Sequence, residues 1–374
     1  MAQRITGIAE ASPAKARAPD ASYIYPTNIA SLGEDWLIES LESFNPGLRV
    51  LSASQSDLIW GTATKVFFDF EYQAGDSSAP IRDRICIKGA FDEKMRNYYD
   101  LSVLYTTEAA FYRDVAPTLD ILLPKCWLAI EHDNEGIVAL EDLGSRGAVF
   151  TEASDTWTAD QATQILDALA RLHVSGWGWS AGTLPWVTLG SGAQRGGNTA
   201  MMAGDRFHDL TSRPEVQPHL PAELSDRDTV LAALQRLWRE DDQDDELTLC
   251  HGDAHLGQTY AMPDGKLGLL DWQSLAVMPW AKDVAYFIGG ALATPDRRAH
   301  ERDLLEYYLR ELKACGGPDL DRAKAWRHYR RQMLIGMVWP VVTENMQPLA
   351  SIATMSQRYL TAMGDLKTLE ALES

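Results

Sequence analysis

LTLCHGDAHLGQTYAMPDGKLGLLDWQ, residues 247–273, is the most informative segment of the chain. It opens on an apolar run, Leu247, Leu249 and Cys250, that delivers His251, Gly252 and Asp253 to a loop, then passes through Gly257 into Gln258, Thr259, Tyr260, Ala261 and Met262. Pro263, Asp264 and Gly265 read as a turn, because Asp-Gly between short apolar runs is a strong hairpin signal and both central residues of a type I′ turn need φ > 0. With Asp264 and Gly265 as the two loop residues, Gln258 is predicted to lie directly opposite Asp271. Opposed residues share a face with Cβ atoms about 5 Å apart. The hairpin would then set a carboxamide oxygen beside a carboxylate, a pair of oxygen ligands that suits Mg²⁺.

Asp253 precedes Gln258 by five positions. Kinase catalytic loops use that spacing between the aspartate that accepts a hydroxyl proton and the residue that ligates magnesium. Two other readings compete. One is an ordinary hairpin with a polar turn. The other takes His251, Asp253 and His255, which alternate along one face, as the metal ligands of a hydrolase.

At 374 residues, with 45% hydrophobic and 23% charged residues, the chain has ordinary globular composition and length for two lobes. The net charge of −19 opposes nucleic acid or an anionic membrane as the main partner. The four cysteines, Cys86, Cys126, Cys250 and Cys315, form no CxxC pair, which fits a reducing cytoplasm. No apolar run approaches membrane-spanning length, and residues 1–20 read as a loose tail without the apolar core of a signal peptide.

Residues 21–141 read as a small lobe. A short helical pattern around Ile29, Leu32, Trp36 and Leu37 is expected to pack on its outside. A strand begins at Leu48 to Leu51, a small polar loop follows over Ser52 to Gly61, and Thr64 to Tyr72 is rich in strand formers. Such a loop can lie over phosphates with its N–H groups. Arg84 to Lys88 alternates Ile85 and Ile87 on one face with Lys88 on the other. The helix expected from Ser102 to Val115 carries Leu104, Glu108, Phe111 and Val115 on one stripe, so Glu108 falls among apolar residues and needs a cation. Lys88 is the nearest candidate by order. Two more strands, Lys125 to Ile130 and Ile137 to Leu140, complete a five-stranded lobe with one helix, and Glu141 to Gly144 leaves it as a connector.

Residues 142–374 then read as a larger α-rich lobe. Thr158 caps a helix running to His173, which is expected to be a hydrogen-bonded core residue. Helices are also expected around Val230 to Trp238, Trp280 to Leu292, His300 to Cys315, Asp321 to Val342 and Leu349 to Leu369. Asp283 suits the start of its helix. Trp177, Trp179, Trp186, Trp280 and Trp339 are candidates either for lining an acceptor pocket or for the core.

A strand lysine, a helix glutamate, a connector, HGDxxxxQ and a strand ending in LLDWQ, in this order, resemble the aminoglycoside phosphotransferase and choline kinase superfamily. The wording HGDAHLGQTY, DGKLGLLDWQ and PWAKDVAYF looks closest to its ecdysteroid-kinase-like branch. The resemblance covers roughly Leu48 to Leu292. It implies an α+β, bilobal protein-kinase-like fold: a small N-lobe with a five-stranded antiparallel sheet and one helix above a larger α-rich C-lobe. It also implies roles. Asp253 would be the catalytic base, Asp271 and Gln258 the metal ligands, Lys88 the phosphate-contacting lysine and Glu108 its orienting partner. Glu141 and Leu143 would receive the adenine through their backbone, and His251 and Asp283 would brace the catalytic loop. The family usually has Asn where this chain has Gln258, which adds a methylene at a site with strict octahedral demands.

The reading that follows is a cytoplasmic kinase using ATP and Mg²⁺ to phosphorylate the hydroxyl of a small-molecule alcohol, with no nucleic-acid or membrane partner. The alternatives are a catalytically impaired nucleotide-binding relative and the His251/Asp253/His255 hydrolase.

Overall fold

Period-two alternation between residues 48 and 141 builds one antiparallel sheet in which every strand divides its side chains between two environments. The computed structural model describes residues 25–61, 63–75, 79–92, 102–179 and 182–373, so the tail expected over residues 1–20 lies outside the described residues. The strands are β1 (Leu48–Ile59), β2 (Thr64–Ala74), β3 (Ile81–Gly89), β4 (Cys126–His132) and β5 (Glu135–Glu141), in the order β1-β2-β3-β5-β4. Val66, Phe68, Phe70 and Tyr72 of β2 join Ile85 and Ile87 of β3 on a buried face. Helix α1 (Glu34–Phe44) lays Leu37 and Leu41 on that face, so it is the apolar cover of the sheet. The opposite face carries Lys65, Phe67 and Asp69 beside Lys88, Cys86 and Arg84.

The polar loop expected over Ser52 to Gly61 is instead strand as far as Ile59. Register shifts between Val50 and Ser52 and between Gln55 and Asp57 keep it paired with β2. A strand of weak propensity is held here by a partner of strong propensity, and bulges absorb the mismatch. At the β4–β5 turn Asp133 and Asn134 have φ 47° and 66°, the type I′ geometry that matches strand twist. Helix α2 (Ser102–Ala110) runs on through a π-helical turn at Phe111–Val115 and packs on β5. Gly136 permits the approach, since a Cβ there would meet the Tyr105 carbonyl oxygen at 2.1 Å.

Beyond the connector, β6 (Val149–Phe150) leads to α3 (Ala159–Gly176), opened by a capping box between Thr158 and Gln161. Its stripe Ile165, Leu166, Leu169 and Leu172 enters the main core. Then follow α4 (Gly192–Met201), α5 (Arg206–Thr211) and α6 (Arg227–Asp241), the strands β7 (Leu247–Cys250), β8 (Thr259–Ala261), β9 (Leu267–Leu269) and β10 (Ala276–Pro279), and α7 (Ala281–Ala291) and α8 (Thr294–Ala314). The helix expected over Asp321 to Val342 is broken into α9 (Arg322–Gln332), a 3₁₀ stretch at Met333–Met337 and α10 (Val338–Val341). Gly336 in the break lies against Tyr359, whose ring a Cβ would meet at 2.3 Å. The chain closes with α11 (Leu349–Leu366) and α12 (Thr368–Glu373). The architecture is α+β and bilobal, a five-stranded antiparallel sheet set on a helical body. Among the described residues no helix is long and apolar enough to cross a membrane.

Candidate active site

The central hairpin forms in a register one residue away from the predicted one. Thr259 pairs with Leu269, Tyr260 with Gly268 and Ala261 with Leu267. In a two-residue turn Pro263 and Lys266 would exchange two hydrogen bonds, and proline has no N–H to donate its half. Closure therefore moves outward: Met262 N donates to Lys266 O at 2.8 Å, Gly265 N donates to Met262 O at 2.9 Å, and Gly265 takes φ 84°. This is the three-residue loop with a left-handed glycine. Gln258 consequently stands opposite Leu270, whose N–H it receives at 2.8 Å, and the expected Gln258–Asp271 cross-strand pairing is corrected.

Asp271 reaches Lys88 by another route. It adopts φ 64° and ψ 64°, uncommon for a residue with a Cβ. From there its Oδ1 meets Lys88 Nζ at 2.5 Å, and Gln273 Nε2 donates to its Oδ2 at 3.3 Å. Lys88 Nζ also lies 2.8 Å from Glu108 Oε2, so β3, α2 and the segment after β9 meet at one ammonium. Burial disfavours the charged lysine, yet Asp271 and Glu108 outweigh it and hold Lys88 above the usual range. Burial raises Glu108 despite Lys88. At Asp271 burial acts the same way, but Lys88 prevails and the carboxyl stays below its usual range. Asp271 is therefore the firmly ionised carboxylate of the trio.

The loop carrying Asp253 is held from beneath by two neighbouring residues of α7. Asp283 accepts His251 N at 2.6 Å and Gly252 N at 2.9 Å, with His173 Nε2 at 3.3 Å behind it. His173 is the buried, hydrogen-bonded core residue expected, its Nδ1 lying 2.7 Å from Tyr308 Oη. Lys282, absent from the sequence-based site, donates to Gly252 O at 2.9 Å and to Gln194 Oε1 at 2.7 Å. Gln194 of α4 donates to the same carbonyl at 2.9 Å. A lysine beside the expected Asp283 was a visible signal, but nothing in the spacing marked Gln194. Gly252 has φ 85°, and a Cβ there would meet Ser274 O at 2.2 Å.

Asp253 is half-buried, and Gln258 Nε2 donates to its Oδ2 at 3.3 Å. Burial pushes its carboxyl up to about 6, with Asp271 adding to the effect and His251 opposing it. The hydrolase ligand set does not assemble. His251 spends Nε2 on Leu270 O at 2.8 Å and Nδ1 on Asp253 N at 3.3 Å, and His255 Nδ1 accepts Gly257 N at 3.0 Å. Among the described residues the close groups of potential metal ligands lie elsewhere, at His173, Cys250 and Asp283 and at Asp244, Glu246 and His328.

At the connector, Asp142 N donates to Arg84 O at 3.0 Å, tying it to β3. Glu141 Oε1 pairs with Arg146 Nε at 2.7 Å, and buried Leu143 accepts Ala148 N at 3.0 Å. Of the tryptophans offered for an acceptor pocket, Trp280 and Trp339 are buried in the core, where their indole N–H groups donate to Glu246 Oε2 and Tyr286 Oη.

A buried strand lysine paired with a helix glutamate, above a loop aspartate and a second aspartate after a hairpin, defines the class: a protein-kinase-like fold. Within it, residues 211–316, which hold Asp253, Gln258, Asp271 and Asp283, match the ecdysteroid kinase-like family. The resemblance drawn from the motifs is thus borne out. Solved structures similar to the chain include the choline kinase LicA from Streptococcus pneumoniae, at 16% identity over 89% of this chain and 98% of that one, with a TM-score of 0.47. An aminoglycoside-3'-phosphotransferase of type VIII is 17% identical over 82% of this chain and 98% of its own, with a TM-score of 0.45. A spectinomycin phosphotransferase in complex with ADP and spectinomycin is 14% identical over 91% and 99%, with a TM-score of 0.47. No curated protein sequence matches the chain significantly.

Proposed function

We propose that this protein is a small-molecule kinase that transfers the γ-phosphoryl group of ATP to a hydroxyl group. The observation that carries the reading is Lys88, clamped between Glu108 and Asp271, with Asp271 near enough to Asp253 to help raise its carboxyl. A phosphoryl group needs little covalent help from protein, so catalysis is positioning and charge stabilisation. Lys88 would fix the phosphates in line, and backbone groups of Glu141 to Leu143 would take the adenine. Asp253 would orient the acceptor hydroxyl and take its proton as the oxygen bonds to the γ-phosphorus. The bond from that phosphorus to the β,γ-bridging oxygen breaks, and ADP leaves.

Asp271, ionised and partly open to the cleft, and the carboxamide of Gln258 offer oxygen donors that fit Mg²⁺, which is commonly held by one or two carboxylates with substrate phosphates. When bound, the ion would neutralise charge on the β- and γ-phosphates. The catalytically impaired binder is favoured by one observation: Gln258 holds the base and does not face Asp271 across the hairpin.

The test is ³¹P NMR of ATP incubated with a panel of small alcohols and Mg²⁺. A new phosphomonoester signal growing with ADP supports the kinase. ATP binding with no product from any alcohol supports the binder.

A further inference from the structure

Lys88 cannot by itself make the phosphate site positive. Its ammonium is shared between Glu108 and Asp271, so its charge is already engaged before any nucleotide arrives. A triphosphate at such a site gains from a further protein cation beside the Mg²⁺ that accompanies it.

Register supplies one. Lys65 of β2 pairs directly with Lys88 of β3, and directly opposed residues project from the same face of a sheet. The even-numbered neighbours Thr64, Val66 and Phe68 are buried, whereas Lys65 is half-buried on the cleft side. Lys65 lies close enough to bias the ionisation of Asp271 and Glu108, favouring both carboxylates. Among the described residues it forms no ion pair and no side-chain hydrogen bond, in contrast to Lys88. It is the second residue of β2, opposite Ile59 of β1 and Lys88 of β3.

We infer that Lys65 is a second phosphate-binding cation of the nucleotide site, the one that meets the phosphate chain while Lys88 remains tied to its two carboxylates. This assignment rests on the nucleotide reading given above. A compact ammonium on a flexible stem suits the task, since it follows a phosphate oxygen as a point charge. A charge-assisted contact of this kind corresponds to roughly a 10- to 100-fold change in affinity.

The test is calorimetric binding of ATP, ADP and adenosine to the full chain and to Lys65→Met and Lys65→Arg, with unfolding midpoints recorded for each. The inference predicts that Lys65→Met weakens ATP and ADP about tenfold or more, leaves adenosine unchanged, and that Lys65→Arg recovers most of the loss. Wild-type affinity for ATP in Lys65→Met would overturn it, as would an equal loss for adenosine, which would mean a displaced sheet. If the folded wild-type chain binds no ATP, the nucleotide reading itself fails, and that outcome differs from either result for the variant.

Discussion

Burial sets the acidity of Asp253 and with it the pH at which the proposed base works. With its carboxyl pushed up to about 6, Asp253 is mostly ionised at pH 7 and mostly protonated at pH 5. A base must be deprotonated, so kcat/KM should be level above pH 6 and fall about tenfold per unit below it, as a rate profile at fixed Mg²⁺ would reveal. Gly252 faces a harder constraint. Gly252→Ala forces a Cβ into φ 85° and to within 2.2 Å of Ser274 O. It should cost roughly 2 kcal/mol in urea unfolding and abolish turnover. At this scale much was legible in the sequence: an acid among apolar helix positions demanded a cation, and Lys88 is that cation. The pairing of Gln258 with Asp271 was misread because Asp-Gly outweighed the preceding proline, whose missing N–H decides the loop length. The left-handed backbone of Asp271 had no local sequence signal.

Between elements, the site is a set of clamps. Lys88 joins β3 to α2 and to the segment after β9, and removing it leaves Glu108 buried without its cation. Lys88→Met should therefore lower unfolding free energy by roughly 3 to 5 kcal/mol, and adding Glu108→Leu should restore part of it. Simple additivity of the two losses would show that the residues are not coupled. Lys282 joins α7 and α4 to the catalytic loop through the Gly252 carbonyl. Lys282→Met should raise hydrogen exchange at the amides of His251, Gly252 and Asp253, while protection in β1 to β5 stays as in the wild type. Helix α7 could be read from apolar periodicity, whereas α4 lies in a glycine-rich, weakly patterned stretch that carried no such signal. Their contact could not be read either, because Gln194 lies 58 residues from the carbonyl it binds.

Across the whole molecule, acid should loosen the fold through buried histidine. Burial lowers His255 to about 4 from the ordinary 6.5. The unfolded chain then binds a proton that the folded chain refuses between those values, so stability is complete above pH 6.5 and drains as pH falls toward 4. The loss from this one group is at most about 3 kcal/mol. His255→Gln should flatten the decline in urea midpoint between pH 7 and 5. The change from period-two to helical spacing after Glu141 was visible in the sequence. The strand character of residues 52–59 was hidden, because pairing with β2 supplies it.

The central claim is that one cleft holds a phosphate-binding lysine and a proton-accepting aspartate that act together on ATP and an alcohol. Its most direct test is ADP release with Mg²⁺ across a panel of small alcohols, comparing wild type with Asp253→Asn while ATP affinity is measured on both. The account predicts alcohol-dependent release by the wild type, a loss of about a thousandfold or more in the variant, and nearly equal ATP affinity. Equal turnover by the two proteins would contradict it.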